Sequence, residues 1–95
     1  MTLEQHNTRT EGYFAAKEGD RELGRMYYSW IGTDKFIINH TEVNAEAKGT
    51  GAGKFLVESG VRYARDNNFK IIPRCPFANA MFKKHHEEWK DVLFE

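Results

Sequence analysis

The segment that decides the fold is Lys48-Gly49-Thr50-Gly51-Ala52-Gly53-Lys54. Its three alternating glycines are more than a simple turn needs, and glycine lets the backbone adopt positive φ angles and pass close to a ligand. Apolar residues recur at helical spacing directly afterwards, from Phe55 to Ala64. The first amides of a helix lack partners within the helix and carry the positive end of its dipole, so this arrangement is typical of a phosphate-binding turn.

The charges around this glycine turn also indicate an anionic ligand. Helix starts normally favour Asp or Glu, but no acidic residue occurs between Ala47 and Val57, and Lys48 and Lys54 flank the glycines instead. Two cations at the positive end of a helix cost stability unless an anion offsets them. The alternative is a strand-to-helix turn that uses glycine only for its geometry.

Two common phosphate motifs are excluded by spacing. A P-loop requires Ser or Thr after its Gly-Lys pair, but Phe55 follows Gly53-Lys54, and Lys48 stands where the first glycine belongs. The dinucleotide pattern Gly-x-Gly-x-x-Gly fails as well, because Gly49-x-Gly51 leads to Lys54.

The regions on either side of the turn predict an α+β fold. The expected elements are three strands (9–17, 22–30 and 35–43), a helix (51–67), a short strand (69–72) and a second helix (77–89). Short turns join the first three strands into an antiparallel meander, and the strand-helix-strand crossover returns parallel to its first strand. Regular alternation in the third strand predicts one face with Phe36, Ile38, His40 and Glu42, and the opposite face with Ile37, Asn39, Thr41 and Val43.

Length and charge limit the classes of function. With 95 residues, the chain is predicted to form a single domain over 1–95 with one modest core. Its 14 basic and 14 acidic residues balance, without the basic excess that nucleic-acid-binding proteins usually carry, so no nucleic-acid partner is expected.

Cysteine content and hydropathy point to an intracellular protein without a metal. Cys75 is the only cysteine, so it cannot form an intramolecular disulfide, and too few histidines lie near it to build a zinc site. No apolar stretch reaches membrane-spanning length and no apolar signal core occurs near Met1, so we expect a cytoplasmic protein with no membrane partner.

The motif Lys48-x-x-Gly51-x-Gly53 resembles the Gln/Arg-x-x-Gly-x-Gly/Ala pyrophosphate loop of the GNAT (GCN5-related N-acetyltransferase) superfamily, which also lies between a strand and a helix. Three further segments are similar to its small YjdJ-like subgroup: His40-Thr41-Glu42-Val43, Ile72-Pro73-x-Cys75-x-Phe77 and His85-x-Glu87/Glu88-Trp89. The resemblance covers the chain from Gly12 onward and implies a minimal GNAT-like fold, a meander followed by a βαβ unit and a C-terminal helix.

This resemblance implies that the chain binds acetyl-CoA or coenzyme A. The amides of the turn would hold the pyrophosphate (Gly49, Thr50, Gly51, Ala52, Gly53 and Lys54), and the strand end at Val43-Asn44 would pair with the pantetheine arm. Lys48 departs from the family's Gln or Arg and lacks the planar fork that allows bidentate contacts. The implied activity is acetyl transfer to an amine of a small molecule or a protein, and the alternative is a non-catalytic module that binds CoA or an acyl-CoA.

The candidates for catalysis are Cys75, His40 and Glu42. Cys75 follows a sheet strand, where a thiol could accept the acetyl group or protonate the CoA thiolate; the alternative is a small buried apolar residue. His40 could take the proton of the amine, with Glu42 on the same face as the second candidate base; the alternative for His40 is packing beside Phe36 and Ile38.

Many GNAT enzymes present a tyrosine acid on the helix after the last strand of the site, and Met81 occupies that place here. Tyr63 lies on the other helix and is interpreted as a packing residue. The sequence leaves the acetyl acceptor open, and we expect a monomer or a weak dimer.

Overall fold

The computed structural model of the protein describes all 95 residues. The strands are β1 (Thr2–Asn7), β2 (Glu11–Glu18), β3 (Arg21–Ile31), β4 (Lys35–Val43) and β5 (Lys70–Pro73). The helices are α1 (Ala52–Asn67), α2 (Pro76–Lys84) and α3 (His86–Trp89), and a short 3-10 turn spans Ala45–Ala47. One sheet has the order β1-β2-β3-β4-β5, antiparallel from β1 to β4 and parallel between β4 and β5. The α+β prediction, with its meander and parallel crossover, is confirmed.

Two elements differ from the prediction. β1 was not predicted because its sequence shows no alternation of apolar and polar residues. All six of its residues are exposed, and backbone pairing with β2 holds the strand in place. The predicted C-terminal helix is interrupted at His85, whose φ of −109° and ψ of 29° are not helical. The His85 ring stacks on Trp89 with centroids 4.6 Å apart, and its Nδ1 lies 3.0 Å from Glu88 Oε1, which stabilises the break.

The core lies between one face of the sheet and the three helices. We call this the helix face of the sheet and the other the open face. Helix α1 contributes an apolar stripe of buried residues, Leu56, Val57, Gly60, Val61 and Ala64. The fully buried side chains of the sheet include Phe14, Met26, Tyr28, Phe36 and Ile38. Tyr63 packs edge-on against Phe14 and Trp30, which confirms its predicted packing role.

A β-bulge in β4 overturns the predicted alternation of that strand. Tyr28 pairs with Ile38, but Tyr27 pairs with His40, so Asn39 is an extra residue without a partner in β3. The bulge puts His40 beside Tyr27 on the open face, not beside Phe36 and Ile38 as predicted. Thr41 pairs with the buried Met26 and returns to the helix face.

The open face carries a row of aromatic rings that crosses four strands. His6, Tyr13, Tyr27 and His40 are cross-strand neighbours, with successive centroids 4.6, 5.9 and 6.2 Å apart. The Arg25 guanidinium lies 4.2 Å from the centroid of the Tyr13 ring. Because rings pack against each other across the strands, the row stabilises the sheet on the side without helices.

The C-terminal segment is tied to α1 and β5. The Arg65 guanidinium donates two hydrogen bonds of 2.8 Å to the Asp91 carboxylate and a third to the carbonyl of Glu88. The backbone of Ile71 in β5 bonds to Val92 and Phe94, so the segment covers the outer edge of β5. None of the helices is long and apolar enough to cross a membrane.

We expect Asp91→Asn to lower the free energy of unfolding by less than about 1 kcal/mol at pH 7, because the pair is about half exposed, 48% for Arg65 and 51% for Asp91. The Arg65 hydrogen bond lowers the pKa of Asp91 below its ordinary 3.8. A lowered pKa contributes stability above the unfolded value and loses it as pH falls through the folded value. Urea unfolding across a pH series should therefore show the difference at pH 7 and its progressive loss as the pH falls below about 3.8, while Asp20→Asn, in an exposed turn, should show little difference.

Candidate functional site

A cleft of about 520 Å³ opens where the end of β4, the glycine turn, the start of α1 and helix α2 meet. Its lining residues are Thr41, Val43, Ala47, Lys48, Gly49, Gly51, Ala52, Gly53, Lys54, Phe77 and Met81. Most of the residues predicted to hold the coenzyme therefore share one cavity. Thr41, Ala47, Phe77 and Met81 line it without having been predicted as site residues.

The backbone of the glycine turn is held in an unusual conformation. Gly49 and Gly51 have φ angles of 85° and 86°, in the left-handed region that favours glycine. Gly51 is the N-cap of α1 and supplies no side chain to cap it, and the first N–H with a backbone partner there is that of Phe55, which donates to the Gly51 carbonyl at 2.9 Å. The N–H groups of 52–54 have no partner in the protein and are free to bind an anion.

Gly53, the third glycine of the turn, is explained by packing and not by its backbone conformation. Gly53 lies inside the first turn of α1 and is buried. A Cβ atom at this position would lie 2.7 Å from Cζ of Phe77, so its absence lets α2 pack against the start of α1. The alternating pattern of glycines thus combines two conformational positions with one packing position.

The two lysines of the turn have no partner of opposite charge. Lys48 and Lys54 are exposed, and neither has a carboxylate within 4.0 Å. The first turn of α1 contains no acidic residue either. The mouth of the cleft is therefore locally positive although the net charge of the chain is zero.

The end of β4 has a free backbone edge beside the cleft. β5 ends at Pro73, opposite Ile38, so no strand covers β4 beyond that point. The N–H of Asn44 donates to the Leu23 carbonyl at 2.8 Å. In an antiparallel pair alternate residues point their backbone groups to opposite sides, so those of Val43 point away from β3 and toward the uncovered side.

Asn44 itself is engaged with β3. Besides its backbone bond, its side-chain amide donates to the Glu22 carbonyl at 2.6 Å. Of the predicted pair Val43-Asn44, only Val43 offers backbone groups at the free edge and lines the cleft.

Cys75 is buried beside the cleft and does not line it. It is the N-cap of α2, and its Sγ accepts a hydrogen bond from the N–H of Ala78 at 3.3 Å. The residue is 3% exposed and belongs to the main core, which agrees with the alternative of a buried apolar residue. Its Sγ also lies 3.4 Å from Oγ1 of Thr41, which does line the cleft.

His40 and Glu42 lie together on the open face. Nε2 of His40 is 3.1 Å from Oε1 of Glu42, and the side chains are 58% and 66% exposed. They share a face as predicted, but Cys75 lies on the other side of the sheet, toward the helices. The structure therefore brings His40 and Glu42 together and does not bring Cys75 to them.

The helix that borders the cleft presents apolar side chains. Phe77 and Met81 line it, and no tyrosine does. Lys83 and Lys84 are exposed and lie outside the lining. Among the lining residues that were not predicted, Thr41 is the one with a polar contact to a candidate catalytic residue, and regular alternation gave no reason to pair it with a cysteine 34 positions away.

The sequence model of a family described as GCN5-related N-acetyl-transferase matches residues 12–92. Among solved structures, a GCN5-like protein from Staphylococcus aureus, determined by NMR in solution, is 34% identical. That likeness covers 97% of this chain and 88% of that chain, with a TM-score of 0.68. No curated protein matches the sequence at a significant level.

Two longer enzymes share the fold at low identity. The ribosomal-protein-alanine N-acetyltransferase from Brucella melitensis biovar Abortus 2308 is 17% identical, with a TM-score of 0.67 over 81% of this chain and 62% of that chain. An aminoglycoside acetyltransferase from an uncultured soil metagenomic sample is 14% identical, with a TM-score of 0.66 over 94% of this chain and 62% of that chain. This chain thus spans less than two thirds of either enzyme. Because the family match extends over most of the sequence, the chain belongs to the GCN5-related N-acetyltransferase family.

Proposed function

We propose that this protein binds acetyl-CoA in the cleft between β4 and α2 and transfers the acetyl group to an amine of a small molecule or a protein. The observation that carries the proposal is the meeting of three features in one cavity. These are the free amides at the start of α1, the unpaired lysines beside them and the free edge of β4. Together they suit a long ligand with phosphates at one end and amides along its arm.

The glycine turn would hold the pyrophosphate. The free amides of 52–54 lie at the N-terminus of α1, where the helix dipole favours negative charge. The N–H of Thr50, which the sequence assigned to the same role, already donates to the Ala47 carbonyl at 3.2 Å. Lys48 and Lys54 add charge at the mouth of the cleft. The backbone of Val43 would pair with the amides of the pantetheine arm, in the manner of an added β-strand.

The acceptor amine would approach from the open face. There Nε2 of His40 lies 3.1 Å from Oε1 of Glu42, beyond the end of β5, and the imidazole of His40 would take the proton of the attacking amine. No helix covers this face, so the acceptor would meet an exposed surface. A protein or peptide amine and a small amine are both sterically admissible.

The second candidate is a module that binds CoA or an acyl-CoA without catalysis. The apolar lining by Phe77 and Met81 favours it, because no tyrosine stands at the cleft to act as an acid. Calorimetric titration with acetyl-CoA and CoA, followed by assay of CoA release with a panel of amines, separates the two. Binding with amine-dependent CoA release supports the enzyme, binding without release supports the module, and no binding contradicts both.

We expect Lys48→Gln and Lys54→Gln each to weaken CoA binding about threefold to tenfold at low salt, since each removes a cation near the phosphates. The double variant should show a smaller dependence of Kd on salt concentration, because fewer charges remain to be screened. Calorimetry at two ionic strengths measures both effects. Lys90→Gln, at the C-cap of α3 and outside the lining of the cleft, is the control for loss of a positive charge, and an unchanged Kd in the double variant would contradict the placement of the phosphates.

A further inference from the structure

We infer that the Thr41 hydroxyl donates the proton at the reacting end of the cleft, and that Cys75 supplies Thr41 with a proton without ever carrying the acyl group. This inference rests on the proposed function and deepens it. It assigns a role to Thr41 and decides between the two roles open to Cys75, acyl acceptor and proton donor.

The polar side chains of the cleft are unevenly distributed. Thr41 is the only side chain with a hydroxyl group that contributes to the lining outside the glycine turn. The other polar lining side chains, Lys48 and Lys54, lie at the turn, while Val43, Phe77 and Met81 are apolar. A departing thiolate on the β4 side of the cleft therefore has one neighbouring side chain that can donate a proton.

The hydroxyl of Thr41 contacts the thiol of Cys75. Its Oγ1 lies 3.4 Å from Sγ of Cys75, and either atom can act as the donor. Sγ also accepts the N–H of Ala78 at the start of α2, where the free end of the helix dipole offsets negative charge. A proton can thus pass from Cys75 to Thr41, and the charge left on the sulfur faces an amide donor.

The thiol of Cys75 is buried. Cys75 is 3% exposed and does not line the cleft, so Sγ has no open path to a thioester carbonyl. An acetyl group on this sulfur would have to fit among core side chains and would displace the Ala78 hydrogen bond. A proton passes through the Thr41 hydroxyl without such a movement.

The transfer of protons balances. As the amine nitrogen bonds to the acetyl carbon, the carbon–sulfur bond breaks and its electron pair leaves with the sulfur of CoA. Thr41 gives its hydroxyl proton to that sulfur and takes the thiol proton of Cys75. His40 takes the proton that the amine loses and releases it to solvent, and Cys75 regains a proton from solvent through the Thr41 hydroxyl. The net reaction therefore forms an amide and a free thiol.

The test combines a double-mutant cycle with mass spectrometry. Thr41→Val keeps the shape of the side chain and removes its hydroxyl, and Thr41→Ser restores the hydroxyl. We expect Thr41→Val and Cys75→Ala each to lower CoA release by a factor of about 100, within the range for loss of an acid–base group, and the double variant to be no worse than either. Thr41→Ser should recover most of the rate, and Kd for CoA should be unchanged in all four variants.

Two readouts do not depend on turnover. Intact-mass measurement after incubation with acetyl-CoA should show no acetyl adduct on Cys75. Any adduct seen on the wild type should therefore also appear on Cys75→Ala. Alkylation of the protein alone by iodoacetamide should be slow in the wild type and in Thr41→Val, and at least about tenfold faster in Thr41→Ala, which uncovers the sulfur. Rapid alkylation of the folded wild-type protein would show that the sulfur of Cys75 is accessible and would overturn the inference.

An acetyl adduct on Cys75, wild-type turnover in Thr41→Val, or additive losses in the double variant would overturn the inference while leaving the proposed function intact. Absence of CoA affinity in the wild type would overturn the proposed function, and the inference with it. The two failures are therefore distinguishable.

Discussion

Replacing Gly51 by valine is expected to lower the affinity for CoA by a factor of about 100 or more. Gly51 holds a φ of 86°, which a β-branched residue strongly disfavours, so the turn would relax toward negative φ and redirect the amides that follow it. Loss of two hydrogen bonds to a charged phosphate, at about 1.5 kcal/mol each, corresponds to about 3 kcal/mol. Calorimetric titration of CoA into the purified variant measures the change.

The matched control is Gly19→Val. Gly19 also has a positive φ, 62°, with no atom near the position of a Cβ, but it lies in the turn between β2 and β3. Both variants should lose stability through the same backbone strain, and only Gly51→Val should lose CoA affinity. Equal affinities in the two variants would contradict the assignment of the turn to the pyrophosphate.

The second large effect is expected at Gly24, where alanine should lower the melting temperature by about 10 °C. A Cβ on Gly24 would lie 2.5 Å from the carbonyl oxygen of Glu42 and 3.1 Å from Cα of Val43. These are backbone atoms of β4, so the two strands must move apart, at a cost of about 1–3 kcal/mol. A domain of this size loses roughly 4–8 °C for each kcal/mol. Thermal unfolding followed by circular dichroism measures the shift.

Gly60→Ala is the control for the added methyl group. Its Cβ would lie 2.9 Å from Cε of Met26, the end of a flexible side chain that can rotate away. Alanine is also favoured over glycine inside a helix by roughly 0.5–1 kcal/mol, so this variant should be about as stable as the wild type. Equal melting temperatures for Gly24→Ala and Gly60→Ala would contradict the tight packing of β3 against β4 at Val43. Because Val43 borders the cleft, Gly24→Ala should also weaken CoA binding.

The sequence predicted the elements whose signals are local. The period of apolar residues from Phe55 to Ala64 marked α1, and the turns at 18–20 and 32–34 marked the meander. The glycines with positive φ were recognisable because that conformation favours one residue type. The two lysines of the turn were informative for a similar reason, since they oppose the preference of a helix start.

The features that were missed depend on contacts distant in the sequence. β1 is polar and exposed along its whole length, and only its pairing with β2 makes it a strand. The bulge at Asn39 contains no glycine or proline, so no residue type in the sequence of β4 indicates it. The contact of Thr41 with Cys75 joins residues 34 positions apart and depends on that bulge.

The bulge also determines what a deletion in β4 would do. If the strand kept Asn39 but lost the bulge, regular alternation would exchange the two sides of its last part: the imidazole and carboxylate would turn inward, and the hydroxyl outward. A deletion of the single codon for Asn39 would instead remove the bulge and leave His40, Thr41 and Glu42 on the sides that they occupy, because their partners in β3 stay the same. Deletions are usually tolerated in surface loops, but at this position the interior of a strand has one residue to spare.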